Sequence, residues 1–114
     1  MHELSMVKAI IDALEELQDR NNWSSIRSVN LKVGSMRQVI PHILRFAFNA
    51  SIERTSLAGA ELIITPVPVE FSCRSCGGRW GEADLGYLCP HCGGKDVDMV
   101  QGMEMDIDSL EVEE

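Results

Sequence analysis

The chain has 114 residues, which suits one compact domain with a modest core and leaves room for a small satellite stabilised in another way. Ten basic and eighteen acidic residues give a net charge of −8, which argues against nucleic acid and anionic lipid as partners. No apolar run reaches the ~18 residues of a membrane span, and acidic residues lie where a signal peptide would be apolar. We therefore expect a cytoplasmic protein that does not insert into membranes.

The first two elements in chain order are a helix and a strand. Residues 4 to 20 place apolar side chains at helical spacing with charged residues opposite them, which predicts an amphipathic helix ending near Asn21. The apolar positions are Val7, Ile10, Ile11, Leu14 and Leu17. From Ser28 to Val33 apolar and polar residues alternate, which predicts a half-buried strand.

A second helix and two further strands follow. Pro41 suits the first turn of a helix whose core face includes Leu44 and Phe48. The segment "ELIITP" predicts a short strand that Pro66 and Pro68 end. Two prolines this close indicate either the edge of a sheet or a linker. The tail "GMEMDIDSLEVEE" changes the parity of its alternation near Asp108, which predicts a long strand with a bulge that joins the first sheet.

This order of elements predicts an α+β fold with a cysteine-rich insertion. We expect a first domain of residues 1–68, completed by a C-terminal strand of residues 103–114. The insertion, residues 69–102, forms a second domain. All four cysteines of the chain lie in this insertion.

The cysteines form two C-x-x-C-G knuckles, "CRSCG" and "CPHCG", with twelve residues between Cys76 and Cys89. Each knuckle brings two thiolates to one ion, and the glycine permits the positive φ that such a turn favours. The spacing is that of a zinc ribbon, with Cys73, Cys76, Cys89 and Cys92 as the four ligands. Four thiolates leave no open coordination position, so the zinc would be structural and could not activate water.

The second and third residues, His2 and Glu3, are the other candidate metal ligands. An imidazole Nδ1 and adjacent backbone nitrogens can chelate a divalent metal, and Ni(II) and Cu(II) both favour the planar, nitrogen-rich geometry that results. The chelate can use the His2 amide with either the amine of Met1 or the amide of Glu3. Binding requires a neutral imidazole, so affinity should fall as the pH drops through the ordinary histidine pKa of about 6.5.

Taken together, these motifs resemble the HypA family of hydrogenase maturation proteins, which are nickel metallochaperones. The resemblance covers "MHELS", "LKVGSM" with "PHILRFAF", "GAELIITPVPVEFSC", the two knuckles and the ending "GMEMDIDSLEVEE". It implies two helices on a small mixed sheet with an inserted zinc ribbon. It also implies His2 as the nickel ligand with Glu3 beside it through its backbone, and the four cysteines as ligands of a structural Zn(II).

The resemblance further implies a protein that is not an enzyme. Ni(II) would be transient cargo, delivered to the hydrogenase large subunit with the HypB GTPase as partner. One position departs from the family pattern, since many members carry a glutamate where this chain has Ile40. The sequence leaves open whether the protein is a monomer or a dimer.

Two other functions are compatible with the cysteine knuckles alone. A zinc ribbon can serve as a nucleic-acid-binding or adaptor module, although the net charge opposes the first of these. A rubredoxin-like iron electron carrier is the second alternative, because "CPHCG" also suits an iron-thiolate site. The colour of the purified protein would separate them, since iron-thiolate is red and zinc-thiolate is colourless.

Overall fold

The computed structural model describes residues 3–81 and 88–114 and places two helices and six strands in them. The helices are α1 (Glu3–Asn21) and α2 (Pro41–Ile52), and a single 3-10 turn covers Ser35–Arg37. The strands are β1 (Ser25–Gly34), β2 (Glu61–Val67), β3 (Glu70–Cys73), β4 (Arg79–Gly81), β5 (Val97–Gln101) and β6 (Met105–Glu113). The predicted α+β fold is confirmed. None of the helices in the described ranges is long and apolar enough to cross a membrane.

The two helices pack against each other through the apolar faces that the sequence predicts. Val7, Ile10 and Leu14 of the predicted face of α1 are buried, as are Leu44 and Phe48 of α2. Met6, which the sequence does not predict to face the core, is also buried, whereas the predicted Ile11 and Leu17 are only half-buried. Pro41 occupies the first turn of α2. A backbone N–H there would have no intrahelical acceptor, so proline, which lacks this N–H, removes no hydrogen bond from the helix. The polar side chain of Gln18 is also buried, and both of its polar atoms are hydrogen-bonded. Ser56 Oγ donates to Gln18 Oε1 at 2.9 Å, and Gln18 Nε2 donates to the Ser24 carbonyl.

The first sheet has the strand order β2-β1-β6, so the C-terminal strand lies beside β1 as predicted. The Ser24 N–H donates to the Glu113 carbonyl and the Gly34 N–H donates to the Glu104 carbonyl. These bonds join the start of β1 to the end of β6 and the end of β1 to the start of β6, so the two strands are antiparallel. The prediction that Pro66 ends this strand is wrong, because β2 continues to Val67. The edge position of β2 explains how it accommodates Pro66.

Two details of this sheet differ from the sequence-based expectation. Strand β1 begins at Ser25, three residues before the predicted start, and Ile26 in this added stretch is buried. The apolar residues of β6 are half-buried rather than fully buried, since β6 is an edge strand. The predicted change of parity is present, because Asp108 and Ser109 are both exposed in succession.

The second sheet has the order β4-β3-β5, and both pairs of neighbours are antiparallel. Its small core contains Val69, Phe71 and Trp80 together with two of the cysteines. The rings of Phe71 and Trp80 stack with centroids 5.8 Å apart. This sheet supports the cysteine knuckles at one of its ends, because β3 ends at Cys73.

The chain divides into two compact units. The first contains residues 1–32, 39–65 and 106–114, and the second contains residues 33–38 and 66–105. The sequence does not predict that residues 33–38 belong to the second unit. Hydrogen bonds account for it, since the Val69 N–H donates to Ser35 Oγ at 3.1 Å and the Met36 N–H donates to the Gly102 carbonyl at 2.9 Å.

Candidate metal centre

The sulfur atoms of the four cysteines lie close together in the second unit. Their Sγ atoms all lie within 4.8 Å of one another, and two of the separations are 3.7 Å for Cys73 and Cys92 and 3.6 Å for Cys76 and Cys89. A tetrahedral zinc ion with Zn–S bonds of about 2.3 Å requires sulfurs about 3.8 Å apart. A disulfide would need about 2.05 Å, and all four cysteines are unbridged. The four sulfurs and their spacing therefore fit a metal ion bound by four thiolates.

The first knuckle is a tight turn closed by two backbone hydrogen bonds. The Gly77 N–H donates to the Cys73 carbonyl at 2.9 Å, and the Cys73 N–H donates to the Gly78 carbonyl at 2.9 Å. Gly77 has φ 76°, a left-handed conformation that favours glycine. The Gly78 N–H points back at Cys76 Sγ, 3.4 Å away, so the turn supplies an amide donor to a ligand sulfur.

The second knuckle repeats this construction. The Gly93 N–H donates to the Cys89 carbonyl at 2.8 Å, and the Cys89 N–H donates to the Gly94 carbonyl at 2.9 Å. Gly93 has φ 73°, close to the value at the matching glycine of the first knuckle. The Gly94 N–H lies 3.4 Å from Cys92 Sγ. Two equivalent turns thus bring together four sulfurs that could hold one metal ion.

Backbone amides also change the acidity of the sulfurs. The Cys76 amide donates toward Cys73 and, against the opposing effect of burial, lowers the pKa of the Cys73 thiol to about 7. At Cys92 the Gly94 amide favours the thiolate, but the neighbouring sulfurs of Cys73 and Cys76 and burial together raise its pKa to about 12. Adjacent sulfurs thus share protons in the metal-free site, and a divalent cation would take the place of those protons.

The other predicted site residues lie elsewhere or outside the described residues. His2, the predicted nickel ligand, is outside them. Glu3 is the first residue of α1 and is half-buried. His91 and His42 are not among the predicted ligands, and both are exposed, His91 in the second knuckle and His42 near the start of α2. Within residues 3–81 and 88–114, the four cysteines are the only cluster of metal-ligating side chains.

A group of charged residues that the sequence pattern does not predict lies beside the site. Arg74, inside the first knuckle, forms ion pairs with Asp96 and Asp98, which follow the second knuckle. The only signal in the sequence is a basic residue between the first two cysteines and acidic residues shortly after the last two. The pairing itself depends on the register of β3 and β5, which the sequence does not predict.

The fold and the site define a small two-unit protein that combines helices and a sheet with a ribbon whose four cysteines could hold a metal ion. Residues 1–112 match the family model described as "Hydrogenase/urease nickel incorporation, metallochaperone, hypA". The chain belongs to the HypA family.

Individual relatives match over nearly their whole length. The chain is 36% identical to the hydrogenase maturation factor HypA of Desulfosudis oleivorans, with 100% of both chains covered. It is 34% identical to HypA of Aquifex aeolicus, covering 99% of this chain and 98% of the relative.

Solved structures agree with the fold. The solution structure of the Ni metallochaperone HypA from Helicobacter pylori superposes with a TM-score of 0.73 at 30% identity, covering 99% of this chain and 98% of that one. A second solution structure, of a HypA protein, gives a TM-score of 0.75 at 31% identity, covering 98% and 96%.

Proposed function

We propose that this protein is a nickel metallochaperone that binds Ni(II) at its N-terminal residues and delivers it to the hydrogenase large subunit during maturation. The observation that carries this proposal is the family match over residues 1–112, because that range includes both the M-H-E triplet and all four cysteines. We further propose that it works in the cytoplasm with the HypB GTPase as partner and catalyses no reaction itself.

The proposed nickel ligands are the imidazole of His2 and backbone nitrogens beside it, including that of Glu3. The start of α1 at Glu3 supports this assignment. The first four N–H groups of an α-helix have no intrahelical acceptor, so the Glu3 amide gives up no helical hydrogen bond when it binds a metal. The carboxylate of Glu3 is not required, because the chelate rings are closed through the backbone.

The proposed resident metal is Zn(II), held by Cys73, Cys76, Cys89 and Cys92. Zinc bound by four thiolates has a closed coordination sphere and a structural role, so it would stabilise the small second unit and leave nickel handling to the first. The core beside the knuckles is small, so a bound metal would add stability that apolar packing in this unit supplies only in part. Iron in its place would make the purified protein red.

Ion pairs support this function over a nucleic-acid-binding ribbon. Arg79 is paired with Glu70 at 2.8 Å, and Arg74 is paired with two carboxylates. Two of the basic residues near the knuckles are therefore already neutralised by neighbours and do not form a basic surface for phosphates.

Nickel titration by calorimetry tests the proposal on three proteins: the parent, His2→Ala and His42→Ala. The parent should bind one nickel ion, and His2→Ala should lose that binding while keeping its zinc content and its circular dichroism spectrum. His42→Ala is the matched control, because it removes an exposed imidazole from another part of the chain and should bind nickel as the parent does. Undiminished one-to-one binding by His2→Ala would overturn the assignment of His2.

A further inference from the structure

Arg74 ties the first knuckle to the chain that leaves the second. Its Nε and Nη2 donate to Oδ2 and Oδ1 of Asp98 at 2.7 and 2.6 Å, which is the bidentate geometry of a strong charge-assisted pair. Its Nη1 donates to Asp96 Oδ1 at 3.3 Å, and its backbone N–H donates to the Asp96 carbonyl at 2.9 Å. Four hydrogen bonds thus join one residue between two cysteines to the segment just beyond Cys92.

We propose that Arg74, Asp96 and Asp98 form a clamp that positions the two knuckles and slows the release of the bound metal. Arg74 is adjacent to Cys73, and Asp96 is four residues after Cys92. The sulfurs of these two cysteines lie 3.7 Å apart, so the clamp lies beside the contact between the two halves of the site. This inference rests on the proposed zinc site and assigns a function to residues that are not metal ligands.

Comparison of the two knuckles shows that the turn itself does not require Arg74. The residue at the matching position of the second knuckle is Pro90, which has no charge, yet that knuckle closes with the same pair of backbone hydrogen bonds. The side chain of Arg74 is therefore free of any role in making the turn. Its contacts reach instead across to the other half of the site.

A direct electrostatic role for Arg74 can be distinguished from the clamp. A zinc ion with four thiolates carries a charge of −2, which a nearby guanidinium would stabilise. In this structure, however, the guanidinium is paired with two aspartates, and the three side chains together have a net charge of −1. The two roles predict opposite results for Asp98→Asn. Freeing the cation from Asp98 would slow zinc release if Arg74 acted by charge, and would speed it if Arg74 acts as a clamp.

The experiment measures the rate at which zinc-loaded full-length protein releases zinc to excess 4-(2-pyridylazo)resorcinol. Arg74→Ala should release zinc about fivefold faster than the parent, at the upper end of what exposed ion pairs contribute. Asp98→Asn should also release it faster, and Arg74→Lys should fall between parent and Arg74→Ala because lysine keeps the charge but not the fork. The double variant Arg74→Ala with Asp98→Asn should be no faster than Arg74→Ala alone.

Arg79→Ala is the matched control. Arg79 is 60% exposed, against 62% for Arg74, and its bond to Glu70 at 2.8 Å joins β4 to β3 without reaching the second knuckle. Its release rate should equal that of the parent. Slower release from Asp98→Asn, or equal rates for Arg74→Ala and the parent, would overturn the clamp alone. A parent that binds no zinc would overturn the zinc site and the clamp together.

Discussion

The backbones of Gly34 and Gly102 cross each other at contact distance within the second unit. A Cβ built on Gly34 would lie 2.0 Å from the carbonyl oxygen of Gly102 and 2.5 Å from the nitrogen of Met103. Both obstructing atoms belong to the backbone, which cannot rotate away as a side chain can. The crossing is also hydrogen-bonded, since the Gly34 N–H donates to the Glu104 carbonyl at 2.8 Å. Glycine at position 34 is therefore a packing requirement.

Gly34→Ala should lower the free energy of unfolding by about 3 kcal/mol, the upper part of the range for overpacking a close contact. Chemical denaturation of the zinc-loaded protein would measure the change. Gly81→Ala is the control in the same unit. Among the described residues, a Cβ there would meet only the Val69 carbonyl at an ordinary 3.6 Å, and its stability should stay within about 0.5 kcal/mol of the parent. Equal stability of the two variants would show that the crossing relaxes easily.

Loss of one zinc ligand should unfold the second unit and spare much of the first. Cys89→Ser should bind far less zinc, since a serine hydroxyl is a poor replacement for a thiolate, and the short core around Phe71 cannot hold the ribbon alone. Trp80 is buried in this unit and Trp23 belongs to the first, so in a Trp23→Phe background the fluorescence of Trp80 should shift to the red. Amide resonances of α1 and α2 should remain dispersed. Full zinc content in Cys89→Ser would contradict four-thiolate ligation.

Zinc affinity should fall as the pH is lowered, because protons compete with the metal for the four sulfurs. In the metal-free site the pKa of Cys92 is raised to about 12, so its proton must be displaced throughout the neutral range. The pKa of Cys73 is lowered to about 7, so below that pH one more proton competes and affinity should fall more steeply. Chelator competition from about pH 8 to about pH 6 would measure the slope. An affinity independent of pH would contradict thiolate binding.

The C-terminal strand should contribute less to stability than a fully buried strand of the same sheet. Ile107→Ala in β6 should cost about 1 kcal/mol, because Ile107 is half-buried. Leu31→Ala in β1 should cost about 2–5 kcal/mol, because Leu31 is 0% exposed and its removal leaves a cavity. Urea denaturation of both variants makes the comparison. A larger loss for Ile107→Ala would show that β6 carries more of the core than its burial indicates.

The features that could be predicted from the sequence are those set by local patterns. Helical spacing predicts α1 and α2, and Pro41 predicts where α2 begins. The two C-x-x-C-G motifs predicted sulfurs that converge, because each knuckle is a short turn whose geometry depends on its own residues.

Other features, which depend on distant segments, could not be predicted, although the pairing of the C-terminal strand with the first sheet was. The early start of β1 at Ser25 depends on pairing with β6 almost ninety residues later, as the bond from Ser24 Oγ to the Glu113 carbonyl shows. The grouping of residues 33–38 with the second unit depends on Gly102, and the Arg74 clamp depends on the register of β3 and β5. No local periodicity encodes these contacts.

The last prediction separates the backbone of Glu3 from its carboxylate as a nickel ligand. Glu3→Ala keeps the amide nitrogen and removes the carboxylate, so it should bind nickel as tightly as the parent. Glu3→Pro removes the amide proton, so its nitrogen cannot be deprotonated to bind a metal, and nickel affinity should fall at least about tenfold. Proline is tolerated at the first position of a helix, which Glu3 occupies in α1, so the fold should be unchanged by circular dichroism. Calorimetric titration of both variants measures the difference. Unchanged affinity in Glu3→Pro would assign the second nitrogen to Met1, and loss in Glu3→Ala would make the carboxylate a ligand.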